Sequence, residues 1–290
     1  MFGRLPRRLA RESNHYALVD GIPFRLPVRA RRLQALMAAF PVDREAAAAL
    51  LPDKDIRVAR LWRNALFVVT VVNYEDTVIG RYIEYSLALA CAHRDSDPPP
   101  LLPFLFRDHY QFGQYVYDLP VSTEISVKGG KGIWGMPKHQ ANLNFVVGDN
   151  AVSSQYDEDG LLAAYAEVSP LPKFRVPVTM GASNYCQFRG MLMKSTVYFK
   201  GSGHIAFGRR ARARIEFGDH PRVRPLKELG IRSNPVFTLF LPDAHGVLDD
   251  HAESWFLEFD QQPSAAPEGM ESVVGLGLGQ EWLPPPTAPH

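Results

Sequence analysis

Cysteine is scarce in this chain: Cys91 and Cys186 are the only two in 290 residues. Two thiols in apolar or mixed strand-like stretches make no disulfide framework; they read as reduced core residues, which points to the cytoplasm. Long hydrophobic runs are missing as well, so neither a membrane span nor a secretory signal is expected. Charge of one sign is not in excess. With 32 Lys+Arg against 31 Asp+Glu the net charge is +1, and no overall field recruits nucleic acid or a membrane surface. The 9 histidines never fall in an H-x-H or H-E-x-x-H spacing, so no metal site is expected. No G-x-S-x-G nucleophile elbow occurs, and nothing calls for a cofactor. Helical windows are few.

One run carries chemistry. Gly130-Lys131-Gly132-Ile133-Trp134-Gly135-Met136-Pro137-Lys138-His139 surrounds one amine with glycines, an indole, a thioether and a proline ring. An ordinary lysine, with a pKa near 10.4, presents about 1 free amine in 2,500 at pH 7, and apolar surroundings raise that fraction by disfavouring the ammonium. A lysine in such a setting can attack a ketone. From the decapeptide alone, a solvated loop lysine with its stem lying on Trp134 is the plainer reading. Gly130, Gly132 and Gly135 also satisfy G-x-G-x-x-G, but Met136-Pro137 and then an alternating apolar stretch follow, where a dinucleotide fingerprint needs a helix. The glycines read instead as tight turns or a close approach to a ligand.

The rest of the chain is mostly strand-like. Asp43 to Pro52 reads as a short helix, capped by Asp43 and stopped by Pro52. Ala65 to Tyr74 and Val78 to Ala92 read as a hairpin turning at Glu75-Asp76. Further strands are expected at Tyr115 to Val127, Ala141 to Val147, Leu161 to Val168, Met191 to Phe199, His204 to Phe207, Ala211 to Phe217 and Val236 to Leu241. This is a mainly β pattern, a barrel or sandwich with a few short helices. Asp95 to Pro103, with three consecutive prolines, reads as a rigid surface excursion before the aromatic residues Phe104, Phe106, Tyr110 and Phe112. Three regions follow: an arginine-rich arm over 1–34, solvated or packed on a neighbouring subunit; a β domain over 35–260; and a proline- and glycine-rich tail over 261–290.

Glu84 is the second charged position of interest, in Gly80-Arg81-Tyr82-Ile83-Glu84-Tyr85, a strand otherwise built for burial. Taken with Gly135-Met136-Pro137-Lys138, with Phe217-Gly218-Asp219-His220-Pro221, Pro225-Leu226, Phe237 to Pro242 and Leu248-Asp249-Asp250, the chain resembles the acetoacetate decarboxylase superfamily from about residue 40 to 255. The resemblance implies a cone-like antiparallel β-barrel, a closed homo-oligomer, Lys138 forming a Schiff base with a keto acid, and Glu84 carrying a proton or orienting the substrate; a desolvated nucleophilic lysine in acetoacetate decarboxylase is a known precedent. Arg32, Tyr82, Trp134, Met136 and His139 are the candidate substrate-binding residues. Two departures stand out. His139 occupies the place of the family's second lysine, and the family's early arginine has no clear counterpart, Arg32 being nearest. The insertion at Pro98 to Pro103 and the bulk of Trp134 suggest a substrate larger than acetoacetate. The primary expectation is a lyase that decarboxylates a β-keto acid. An aldolase-dehydratase using the same lysine without loss of carbon dioxide is the alternative, and a barrel that binds a small ligand without catalysis is a third.

Overall fold

The computed structural model describes residues 6–10, 13–52, 54–169, 171, 173–232 and 234–258; the expected tail over 261–290 lies outside them. The chain opens with a hairpin of β1 (His15–Val19) and β2 (Ile22–Leu26), then the long strand β3 (Val28–Val42) and helix α1 (Arg44–Ala48). Next come β4 (Ile56–Val58), β5 (Ala65–Thr77), β6 (Tyr82–His93), α2 (Leu102–Leu105), β7 (Phe112–Val121) and α3 (Glu124–Trp134). The short strands β8 (Lys138–Gln140), β9 (Asn142–Leu143) and β10 (Val146–Val147) lead to β11 (Val152–Glu158) and β12 (Leu161–Val168). The described chain ends with β13 (Val176–Phe188), β14 (Met191–Phe207), β15 (Ala213–Phe217), α4 (Arg224–Lys227), β16 (Phe237–Leu248) and β17 (Glu253–Phe256).

Seven strands, in the order β6-β5-β3-β16-β14-β13-β7, close into a barrel because β7 pairs back onto β6. All those pairings are antiparallel except β7 with β13. Closure leaves the barrel strands no free edge, and the period of two sends alternate residues to opposite faces. Leu33, Ala35, Met37, Val72, Tyr74, Tyr82 and Phe199 fill the inside. On the outer face Leu36, Phe40, Val69, Val71, Tyr85, Leu87 and Leu89 meet a second sheet, β10-β11-β12-β15, through Tyr156, Ala164, Ala166 and Val168. Both faces of β5 and β6 are therefore covered, which explains their near-continuous apolar sequence.

Several expectations hold and several need correction. α1 starts where expected, with the Asp43 carboxylate accepting a hydrogen bond from the Ala46 N–H at 2.8 Å. The β5–β6 hairpin exists, but Glu75 and Asp76 continue β5 and the turn comes later. There the Thr77 hydroxyl donates to the Gly80 carbonyl at 2.6 Å and accepts from the Ile79 N–H at 3.2 Å. Tyr115 to Val127 is not one strand: β7 ends at Val121 and α3 begins at Glu124. The two segments expected at Met191 to Phe199 and His204 to Phe207 are one strand, β14. β3 crosses residue 34 without a break. Within the expected arm, Leu9 is buried, and the Arg8 guanidinium grips both oxygens of Asp249 at 2.7 Å, so this piece packs on its own barrel.

Candidate active site

Helix α3 and strand β8 bring the amine into the barrel. The glycine-rich run, expected as turns, is helical through Trp134, and Gly135 closes the helix at φ +64°, donating to the Gly130 and Lys131 carbonyls. A left-handed residue here is the ordinary way to end a helix. The chain then reverses into β8, which pairs in parallel with β7 so that Lys138 lies opposite Leu119. The helix must pass very close to the lysine: a methyl group on Gly130 would come within 2.6 Å of Lys138 Cε. Glycine at 130 makes room for the Lys138 side chain itself.

Lys138 is 5% exposed. Its Nζ lies 2.7 Å from Glu84 Oε2, donates to Ser126 Oγ at 3.0 Å and sits 5.4 Å from the centre of the Tyr82 ring. Glu84 reaches this position because β6 alternates: Tyr82, Glu84 and Ser86 face inward, while Ile83, Tyr85 and Leu87 face the second sheet. Tyr82 stacks on Tyr74 with ring centres 4.5 Å apart. Burial first, then the Glu84 carboxylate, holds both phenols protonated far above neutral pH. They therefore offer O–H groups and not phenolates. The neighbouring Cys186 thiol is pushed up to about 12 by burial, against the pull of the Lys138 charge, so it provides no thiolate at neutral pH.

A cavity of about 60 Å³ adjoins this group, and the only charged side chains among the described residues lining it are Lys138 and Glu84. Val72, Val116, Leu119, Met136 and Phe199 make apolar walls, with Thr70, Ser86, Gln114 and Asn184 as neutral polar groups.

Of the candidates read from the sequence, Lys138, Glu84, Tyr82 and Met136 come together around this cavity. Arg32 does not: its side chain is 67% exposed and pairs with Glu75 on the outside. Trp134 packs behind the cavity with Val116, Leu119 and Met136 and donates from Nε1 to the Asp249 carbonyl at 3.2 Å. His139 follows Lys138 on a strand and so faces the other way, out of the barrel. There Nε2 donates to Asp118 Oδ1 at 2.9 Å, and Nδ1 lies 3.2 Å from Glu158 Oε1 without hydrogen-bond alignment. Its charge state therefore acts on a separate outer cluster. Neither Trp134 nor the insertion over 98–103 lines the cavity, which removes the basis for a remodelled, larger pocket. Sequence reading missed Ser126, Thr70, Gln114 and Asn184. Ser126 hides in a helix whose three internal glycines lower its helix propensity, and Asn184 lies in β13, a strand whose polar alternation gave no signal.

The acetoacetate decarboxylase family model matches residues 15–191, a span that includes both Glu84 and Lys138. The chain belongs to the acetoacetate decarboxylase family. The C-terminal motifs of the sequence resemblance lie beyond the matched span. A solved acetoacetate decarboxylase from Legionella pneumophila is similar, with a TM-score of 0.58 at 14% identity over 84% of this chain and 90% of that one. The enduracididine biosynthesis enzyme MppR, solved with the condensation product of pyruvate and imidazole 4-carboxaldehyde, has a TM-score of 0.54 at 13% identity, covering 79% of this chain and 88% of that one. An acetoacetate decarboxylase-like enzyme from Sphingomonas wittichii RW1 has a TM-score of 0.50 at 14% identity over 80% and 94%. At such identities the likeness is one of fold. A search of curated protein sequences finds no match. No described helix is long and apolar enough to cross a membrane.

Proposed function

We propose that the protein is a Schiff-base carbon–carbon lyase that decarboxylates a small β-keto acid, with Lys138 as nucleophile and Glu84 as proton carrier. The observation that carries this reading is the Lys138–Glu84 contact of 2.7 Å inside a cavity lined by no other charged group among the described residues.

At that distance a proton can pass from Nζ to the carboxylate and free the lone pair that attacks the ketone. Loss of water gives a protonated imine. The bond to the carboxylate carbon then breaks, its electron pair forming the enamine while the imine π electrons move to nitrogen, and carbon dioxide leaves. Glu84 is placed to return a proton to the α-carbon, and water hydrolyses the imine to release the ketone and Lys138. Net, one keto acid anion and one proton give one ketone and carbon dioxide.

A second reading keeps the same lysine for aldol and dehydration chemistry. The specific point in its favour is that no arginine or second lysine is among the described lining residues to pair with a substrate carboxylate. The test is borohydride reduction in the presence of acetoacetate, longer β-keto acids or pyruvate, followed by peptide mapping. Reading and reaction separate cleanly: an adduct on Lys138 that vanishes in Lys138→Ala supports the Schiff base, and release of carbon dioxide supports decarboxylation. No adduct on folded protein sinks the proposal and leaves a barrel that only binds. Glu84→Gln is expected to slow turnover by about 10²–10⁴-fold while the lysine still labels.

A further inference from the structure

The cavity lining also carries a set of groups that the lysine chemistry does not use. Thr70 on β5 and Ser86 on β6 are cross-strand partners facing inward, and Ser86 is the next same-face residue after Glu84. A strand rises about 3.4 Å per residue, which puts this rung about 7 Å along β6 from the Glu84 rung. Gln114 and Asn184 are register partners where β7 meets β13 in parallel. Gln114 Nε2 donates to Asn184 Oδ1 at 2.8 Å, and this bond turns the Asn184 amide so that its own N–H donors remain for a guest. Thr70 is 8% exposed as a residue, and its buried hydroxyl has no hydrogen-bond partner, although a valine of the same shape would fill the space without that cost. Buried orphan hydroxyls are rare and call for a reason.

We infer that Thr70, Gln114 and Asn184 form a substrate-reading wall of uncharged donors, which holds the carboxylate of a small keto acid in place without neutralising it. The inference rests on the Schiff-base reading of Lys138 and names the specificity-determining residues for it. An arginine would stabilise the bound carboxylate by a charged pair in a low-dielectric site. Neutral donors orient it and leave its charge uncompensated beside an ion pair that is already internally balanced. Breaking the carbon–carbon bond relieves this: the carboxylate carbon departs as neutral carbon dioxide, and the electron pair ends on the former iminium nitrogen. The wall thus replaces the missing arginine by geometry, and favours the step that removes the anion.

The experiment compares two probes that share one carbonyl end, acetoacetate and acetone, in the wild type, Thr70→Val and Asn184→Leu. Borohydride labelling of Lys138 is followed by peptide mass, together with thermal melting and, for acetoacetate, kcat and KM from carbon dioxide release. Thr70→Val is expected to melt normally and Asn184→Leu somewhat lower, since Gln114 Nε2 loses its acceptor; per folded molecule each is expected to lower acetoacetate labelling about tenfold or more, chiefly through KM, with acetone labelling changed less than about twofold. Asn184→Asp, which puts a second carboxylate at the wall, is expected to suppress acetoacetate further and spare acetone. Equal losses for both probes would overturn the assignment and make these residues structural. Unchanged acetoacetate labelling in both variants would overturn it as well. No adduct with either probe in the wild type is a different failure, since it removes the Schiff base and the wall together.

Discussion

Lys138 and His139 are adjacent in the chain and face opposite sides of the same short strand, and the two sides are built on different principles. Inside, one amine meets one carboxylate and one hydroxyl among apolar walls. Outside, His139 enters a dense polar cluster. The Tyr156 hydroxyl donates to Glu158 Oε2 at 2.7 Å, with Asp118 Oδ2 at 3.3 Å. Arg222 donates to both Glu158 oxygens at 3.0 and 3.2 Å. The His220 ring lies 3.6 Å from Glu158. The outer cluster spreads charge over many partners and ties β7, β8 and β11 to the 3-10 turn at Pro221–Val223. The inner site concentrates charge where a guest can reach it. On the proposed reading, the difference teaches that a nucleophile needs few partners, whereas the strand that carries it needs many.

The sharpest way to break this comparison is to remove each neighbour in turn. Lys138→Ala is expected to abolish labelling by keto acids and to lower turnover by at least about 10³-fold, the loss of a covalent nucleophile. His139→Ala is expected to be less stable by roughly 1–3 kcal/mol, because buried Asp118 keeps only the 3.3 Å contact from the Tyr156 hydroxyl, yet to label Lys138 when folded. If His139→Ala destroys labelling while the fold survives, the two faces are one machine and the separation drawn above is wrong.

A smaller effect comes from the helix that backs the lysine. Gly130→Ala improves helix propensity by about 1 kcal/mol but places a methyl group against the Lys138 stem. The stem is flexible, so the fold is expected to hold while Nζ shifts relative to Glu84. A displacement near 1 Å can cost about 10²-fold in rate. Thermal melting and kcat measured on the same sample check the opposition: a variant that is no less stable and clearly slower supports the close fit, and an unchanged kcat shows that the glycine serves only the helix.

How much of this was legible follows from the same physics. Lys138 stood out by the apolar residues around it in the chain, whereas Glu84 was picked out only through the family resemblance, since strand alternation alone left it free to face solvent. β12 was readable to the residue, since its apolar run ends at turn residues on both sides. The helix at 124–134 was not readable: its glycines serve packing against Lys138 and neighbouring side chains, and a residue chosen for tertiary contact carries no local propensity signal. Arg32 failed as a carboxylate ligand for a similar reason. β3 has bulges on both sides of Arg32, and an irregular register decides which face a side chain takes. Thr70 and Asn184 were invisible because they come to line one cavity only after the barrel closes.

The smallest expected effect tests the outer face by acid. Partial burial works to raise the Glu158 pKa, but hydrogen bonds from Arg222 and Tyr156 and the charge of His139 outweigh it and hold the carboxyl below its usual 4.5. A carboxyl depressed in the folded state contributes stability that is present above the unfolded value and is lost as pH falls through the folded one. Glu158→Gln is therefore expected to be less stable than the wild type near neutral pH, by roughly 1 kcal/mol given the half-exposed Arg222. The gap between the two should close as the pH drops below 4.5, and labelling of Lys138 per folded molecule should stay level throughout. A gap that persists unchanged into acid would mean that the carboxylate charge contributes nothing and that the cluster is held by shape alone. Labelling that tracks the Glu158 titration would mean instead that the outer cluster reaches through β8 to the amine.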